Sequence, residues 1–417
     1  MINSVKGTQD FLDLFLFKTI VNRASSHCEL YHYHEIATPI IEHTELFKRS
    51  LGIHTDVISK EMFTIEPRSE ESNSISLRPE ATASTMRAYL NNGIQQNPWK
   101  VFSWGPMFRY ERPQKGRFRQ FHQFNIENIG SSSILSDVEL IAMLDKLFSH
   151  ALGLTEYALA INFLGCSSDR AAHKIVLKEF LDANSAHICP TCLTRKDTNI
   201  MRVFDCKSEA CQEVYTKAPK TIEHLCTECR SEWQLLQDNL SMLSVSHSIL
   251  PTLVRGLDYY TKTVFEFSSS ALGAQSAFCG GGRYDHLAEM LDSKKIVPSV
   301  GAGIGIERLI AIIEAQKTIT KPQESCFVVI APLADAQKTL ALLMGDNLRR
   351  SSIKTHIILD TASVKSMMRK ADSLQATHTI LVGETEQNTQ QVMLKNMRTG
   401  EEKTVTIAKL AQELLKS

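Results

Sequence analysis

The chain has 417 residues, 43% of them hydrophobic, and 46 basic side chains balance 46 acidic ones. At ~150 residues per domain this length implies two or three domains, each with enough apolar content for a core, and the neutral balance excludes a globally basic nucleic-acid coat, so RNA contact would need local patches. No apolar run reaches the ~18 residues that span a bilayer, and the N-terminal MINSVKGTQD lacks the basic-then-apolar order of a signal peptide. The ten cysteines, met without such a signal, favour reduced thiols and metal over disulfides, and a cytoplasmic location.

In chain order, Leu14–Ser25 suits a helix, and His34–Pro39 reads as a strand running into a helix over Ile40–Leu51, with Pro39 at the junction. His32 and His34 alternate on that strand with no carboxylate or cysteine at ligand spacing, and read as sheet residues. Ser76–Arg78 ends a strand at Pro79, and a helix opens with Glu80 in its first turn, where the dipole favours an acid. Phe102–Tyr110 and Phe121–Ile129 read as paired strands, with Arg112–Arg119 between them and Pro113 and Gly116 as turn punctuation. Arg109, Glu111, Arg112, Lys115, Arg117 and Arg119 crowd into this hairpin. Guanidinium groups held this way present a donor fork suited to phosphate or carboxylate. On the second strand Gln123 and Glu127 lie four residues apart and share a face, so both aim at the pocket of Arg109. A carboxylate buried there is costly unless a ligand pairs with it.

From about 165 to 250 the character changes to a helical insertion, with a helix over Leu177–Ala183 and six cysteines between His187 and Cys229. Cys189-x-x-Cys192 and Cys226-x-x-Cys229 have the spacing of zinc half-sites, which predicts one structural centre from Cys189, Cys192, Cys226 and Cys229. Cys206 and Cys211 lie between and can replace one pair. Leu253–Phe267 alternates and reads as a strand entered through Arg255-Gly256. Gly280–Gly282 would admit a ligand close to the backbone. Gly301-Ala-Gly303-Ile-Gly305 runs into Glu307-Arg308 and an apolar helix, Leu309–Glu314. It is no dinucleotide fingerprint, because the third glycine position is Ile306, and no P-loop motif occurs. A linker over Ala315–Glu324 leads to alternating strands and helices over 325–417: a small layered α/β domain, only mildly basic, with a mainly parallel sheet.

Several blocks match a known family in wording and order: YHYHEIATPIIEHTELFKRSLG, LRPEAT, FRYERPQKGRFRQFHQ, RGLDYY, GGGRYD and GAGIGIER. They resemble the motifs of class II aminoacyl-tRNA synthetases, and specifically the histidyl-tRNA synthetase family. The resemblance implies an α/β fold with an α+β catalytic core, an antiparallel sheet flanked by helices, over 1–165 and 251–318. It implies an insertion domain over 166–250 and an anticodon-binding domain over 325–417. It implies ATP and Mg²⁺, L-histidine and tRNA(His) as ligands, and a homodimer built around Pro39. Histidine would be held by Glu80, Ala81, Thr82, Arg109, Gln123, Glu127, Arg255, Tyr259 and Tyr260. Of these, Glu80 and Gln123 would take the α-amino group, and Glu127 and Tyr260 the imidazole. ATP would be held by Arg109, Glu111, Arg117 and Arg308. Arg109 and Arg255 would be catalytic, with Arg255 in the place of a metal-holding group. Ala81 and Asn125 stand where the family usually has Gly. A synthetase-like regulator of ATP phosphoribosyltransferase, which shares the core but generally lacks the motif arginines and the C-terminal domain, is the competing reading.

Overall fold

Strand periodicity organises the larger part of the molecule. The structure, a computed structural model, describes residues 2–52, 55–66, 74–112, 116–273, 276–321, 326–360 and 362–416. Pro113 and Lys115 of the hairpin tip and the end of the 315–324 linker lie outside the described residues. The chain divides into two units, Met1–Thr320 and Lys321–Ser417.

In the eight-stranded sheet of the first unit the strands are β1 (His34–Glu35), β2 (Trp99–Phe108), β3 (Gln120–Ile129), β4 (Ala158–Phe163), β5 (Ser248–Ile249), β6 (Thr261–Ser268), β7 (Ala277–Arg283) and β8 (Ser299–Gly305). They lie side by side in the order β1-β2-β3-β8-β7-β6-β4-β5. Every internal pairing is antiparallel, and the two short edge strands β1 and β5 pair in parallel. The longer helices are α1 (Phe15–Leu30), α2 (Thr44–Leu51), α3 (Thr82–Asn91), α4 (Leu135–Lys146), α5 (Ser167–Ala183), α6 (Pro190–Thr198), α7 (Glu209–Thr216), α8 (Thr227–Met242) and α9 (Ile306–Gln316).

One face of the sheet is covered by helices. On α1, Ile20, Val21, Ala24 and Cys28 recur at helical spacing and are buried. With Leu140 and Leu144 of α4, Leu236 of α8 and Ile312 of α9 they pack on Phe102, Phe124 and Ile126 of the sheet. Period-2 alternation then sends Gln123, Asn125 and Glu127 of β3 to the opposite face. On the neighbouring strand, Ala302 and Ile304 go to the core, so Gly301, Gly303 and Gly305 face the same way as those polar residues. The register sets Gly301 opposite Glu127, Gly303 opposite Asn125 and Gly305 opposite Gln123.

Two expected elements are shorter than their patterns suggested. The helix expected over Ile40–Leu51 starts at Thr44, because Ile41–His43 pairs as a strand with Ile75–Leu77. The strand expected over Leu253–Phe267 starts at Thr261, and Val254–Tyr260 is a loop. Its Arg255, Tyr259 and Tyr260 all line one cavity instead of alternating between faces. Between β4 and β6 the chain is mainly helical, and the buried Leu177, Leu181, Val203 and Tyr215 share a core with Phe47 and Met86 of α2 and α3.

The second unit contains β9 (Phe327–Pro332), β10 (Lys354–Ile357), β11 (His378–Val382), β12 (Gln391–Asn396) and β13 (Glu402–Thr406), in the order β10-β9-β11-β12-β13. Strands β10, β9 and β11 are parallel, while β12 and β13 add in antiparallel fashion. The sheet is therefore mixed, not mainly parallel. Strand β13, opening on Glu402-Lys403, carries too little apolar alternation to announce itself. Helices α10 (Lys338–Arg350) and α11 (Val364–Ser373) bury Met344 and Leu348, and Met367 and Ala371, against the sheet.

Candidate active site

The polar face of β3 and the glycine face of β8 form the floor of a cavity of about 940 Å³, open mouth included. Its walls come from separated segments: Glu80 and Thr82 at the start of α3, Arg109, Glu111 and Arg117 of the hairpin, the 255–260 loop, β7, and Arg308 on α9. Of the residues expected to bind, Glu80, Thr82, Arg109, Glu111, Arg117, Gln123, Arg255, Tyr259, Tyr260 and Arg308 all line it.

The arginines are positioned by backbone and by each other. Arg109 Nε donates to the carbonyl of Pro79 at 3.0 Å, and its guanidinium lies 5.3 Å from the Phe121 ring centre. Arg117 pairs with Glu111 at 2.6 Å. Arg308 donates through Nε to the Gly116 carbonyl at 3.2 Å and through Nη1 to the Ala277 carbonyl. Burial, and then the positive charges of Arg117 and Arg109, hold the Arg308 pKa below its ordinary value. Cations that disfavour one another in a partly dry site form a place prepared for an anion. Arg119 instead stacks on Tyr110, 3.8 Å from its ring centre, and does not line the cavity.

The carboxylates divide differently from the sequence expectation. Both oxygens of Glu80 cap α3, accepting from the N–H of Thr82 at 2.7 Å and of Ala83 at 2.9 Å. Capping alone explains an acid here, yet the same side chain borders the cavity. Ala81 is fully buried and contributes no wall. Glu127 lies one layer back. It is 1% exposed and accepts from the Thr82 hydroxyl at 2.6 Å and from the Tyr284 hydroxyl. Burial pushes its carboxyl up to about 8, against the two hydroxyl donors.

Sequence reasoning missed three supporting residues. Glu266 of β6 pairs with Arg255. Tyr284 holds Glu127. Glu307 accepts from the backbone and ring N–H groups of His122, locking α9 to β3. Of the three, only Glu266, the odd Glu within VFEF, stands out as a single acid in an apolar stretch. Arg78 of the LRPE block is structural, bonded to the carbonyls of Thr38 and Pro106.

The glycines have a steric cause. A Cβ at Gly280 would overlap the Arg255 guanidinium, and one at Gly301 would overlap the Glu127 carboxylate. The Arg255 guanidinium is the far end of a flexible side chain and can move aside at the expense of its Glu266 contact, so Gly280→Ala should lower the melting temperature by only a few degrees. A displaced guanidinium should nonetheless cut the catalytic rate by ~10²-fold, as ~1 Å misplacements do. Steady-state kinetics beside a thermal melt checks this, and an unchanged rate in the variant would show that the position is not used.

The single zinc centre expected from Cys189, Cys192, Cys226 and Cys229 does not form. Cys189 and Cys192 gather with Cys206 and Cys211, whereas Cys226 and Cys229 gather with Cys166 and Asp169. Spacing identifies half-sites but not which other half folds against them.

A family model described as histidyl-tRNA synthetase matches residues 16–309, and one described as anticodon binding domain matches residues 327–417. The chain belongs to the histidyl-tRNA synthetase family. A histidine–tRNA ligase of Halothermothrix orenii is 41% identical over 420 residues, covering 100% of this chain and 99% of that protein. One from Clostridioides difficile is 39% identical over 416 residues, with 98% of each covered. The crystal structure of apo histidyl-tRNA synthetase from S. aureus superposes with a TM-score of 0.82 at 31% identity, over 99% of this chain and 100% of that one. A Bacillus halodurans protein described as an ATP phosphoribosyltransferase regulatory subunit/histidyl-tRNA synthetase shares the fold, with a TM-score of 0.63 at 20% identity and 92% of this chain covered. The antiparallel sheet flanked by helices is thus the architecture of the histidyl-tRNA synthetase family, and the cavity sits on the polar face of that sheet.

Proposed function

We propose that this chain ligates L-histidine to tRNA(His) in two steps, and that the cavity is where both occur. The histidine carboxylate attacks the α-phosphorus of ATP and pyrophosphate leaves. The histidyl-adenylate then gives its acyl group to the terminal ribose of the tRNA, releasing AMP. The observation that carries this reading is the convergence of Arg109, Arg117, Arg255 and Arg308 on one cavity with Glu80, Thr82 and Gln123. A polyphosphate needs cations from several sides, and an amino acid needs acceptors beside them.

Little covalent chemistry is asked of the protein, so positioning and charge neutralisation carry the first step. Arg109 and Arg255 clamp the carboxylate and the α-phosphate. Arg117 and Arg308 hold the terminal phosphates, and Glu111 anchors the adenine or ribose side. Glu80 and Gln123 accept from the α-amino group. The imidazole lies between Tyr260 and Glu127. The Glu127 carboxylate uses two of its roughly four acceptor positions on Thr82 and Tyr284, which leaves room for a ring N–H.

Among the described residues only the two cysteine groups bring three or more metal-ligating atoms together. Mg²⁺ therefore fits as an ion carried by the ATP phosphates, which is how this ion is commonly held. When bound it neutralises phosphate charge. A homodimer, a cytoplasmic location and anticodon recognition by residues 325–417 belong to the same reading. The proposed domain limits are 1–165 and 251–318 for the core and 166–250 for the insertion.

The test is ATP–pyrophosphate exchange run separately with each of the twenty amino acids. Exchange with histidine alone is the expected result. Folded protein that exchanges with none of them would overturn the ligase reading in favour of a regulator, and a protein partner would then be sought.

A further inference from the structure

The helical insertion contains eight ligand-type side chains in two separate groups of four, neither of which touches the catalytic cavity. In each group the ligating atoms lie within 4.8 Å of one another. We propose that the insertion binds two Zn²⁺ ions: one in a tetrathiolate of Cys189, Cys192, Cys206 and Cys211, the other between Cys166, Asp169, Cys226 and Cys229.

The first group has the dimensions of a filled site. A tetrahedral ion with Zn–S bonds of ~2.3 Å sets its sulfurs ~3.8 Å apart. The Cys189 and Cys206 sulfurs are 3.8 Å apart. Backbone N–H groups already point at the sulfurs, from Cys189 to Cys211 Sγ at 3.1 Å and from Ser208 to Cys206 Sγ at 3.5 Å. Such donors stabilise thiolate over thiol. Cys192, Cys206 and Cys211 are buried, so an ion held there is shielded from water. Four sulfur ligands select zinc over harder cations.

The second group lies where the insertion meets the sheet. Cys166 follows β4 and caps α5, and Cys226 caps α8, so two helix N-termini converge on the cluster and favour its negative charge. Asp169 accepts from the N–H of Cys226 at 2.9 Å and of Cys166 at 3.2 Å, which fixes its carboxylate against both ends. The N–H of Cys229 points at Cys226 Sγ at 3.5 Å. Cys226 is exposed and gives an ion its way in. An ion here ties the start of the insertion to its last long helix, closing a long loop, and the first ion crosslinks α6 to the segment around α7. Both are structural, and neither depends on the ligase reading.

Full-length protein purified without chelator should contain about two zinc atoms per chain by plasma emission spectrometry. The Cys206→Ser/Cys211→Ser and Cys226→Ser/Cys229→Ser variants should each lose one of the two. One zinc or none in the wild type overturns the proposal, as does a double variant of one group that keeps both. To remove dependence on variant folding, wild-type protein stripped with chelator is titrated with Co²⁺. Sulfur-to-metal charge-transfer bands that saturate at two equivalents support the two centres, and saturation at one overturns them.

Discussion

Arg255→His lowers the turnover of histidine-dependent ATP–pyrophosphate exchange by ~10²–10³-fold, while the apparent affinity for histidine changes by less than about tenfold. The asymmetry follows from when the charge is needed. Histidine carboxylate and ATP arrive already charged and are met by Arg109, Arg117 and Arg308 as well. The extra negative charge that builds on the α-phosphoryl oxygens exists only in the transition state. Arg255 is the cavity arginine borne by the loop before β6, and pairing with Glu266 pins it without removing its permanent charge. An imidazole is shorter and largely uncharged at neutral pH. Arg255→Lys should also fall well below wild type, because a point charge replaces the planar fork. Losing the Glu266 contact costs on the order of 1–3 kcal/mol of stability. Assays well below the melting temperature therefore separate folding from catalysis. Normal turnover with weakened histidine binding would show that Arg255 binds substrate and does not serve the transition state.

How legible the site was depended on whether a residue's role is set locally. The hairpin of β2 and β3 could be read because alternation fixes which side chains share a face, and with it Gln123, Arg109 and Arg117 came out on one cavity. The Gly301, Gly303 and Gly305 repeat is the same alternation in negative. It is no phosphate loop but a strand whose glycines clear space for the polar side chains of β3. Residues placed by distant partners were not legible. Val254–Tyr260 has strand-like alternation, but Arg255, Tyr259 and Tyr260 turn into one cavity, a consequence of tertiary contact. Cys166 and Asp169 have no motif spacing at all. They join Cys226 and Cys229 because β4 delivers the start of α5 beside the start of α8. Tyr284 gave no separate signal within GGGRYD, although it holds the carboxylate assigned to substrate recognition.

That carboxylate carries the second large effect. Glu127→Ala should lower kcat/KM for histidine activation by ~10²–10⁴-fold, because a pocket built to pair a polar ring loses its main acceptor and leaves the Thr82 and Tyr284 hydroxyls unpaired. An unchanged activation rate would remove Glu127 from the site. Glu127→Gln is the finer probe, since burial pushes the wild-type carboxyl from 4.5 up to about 8. A raised carboxyl pKa means that the fold prefers the protonated form. Its contribution to stability is therefore intact below the unfolded value and is lost as pH rises through about 8, on the order of a few kcal/mol in total. Urea unfolding at pH 6 and pH 9 should show the part of this loss that lies above pH 6 in the wild type and much less of it in Glu127→Gln. Histidine binding runs the other way. A ring N–H donor favours the ionised carboxylate, and the ionised fraction grows roughly five- to tenfold between pH 7 and pH 8.5 for a pKa near 8. Wild-type affinity for histidine should rise by that factor over the interval, while Glu127→Gln, with nothing to ionise, binds weakly and without that slope. A parallel slope in both proteins would assign the titration to another group and leave Glu127 a structural acceptor for Thr82 and Tyr284.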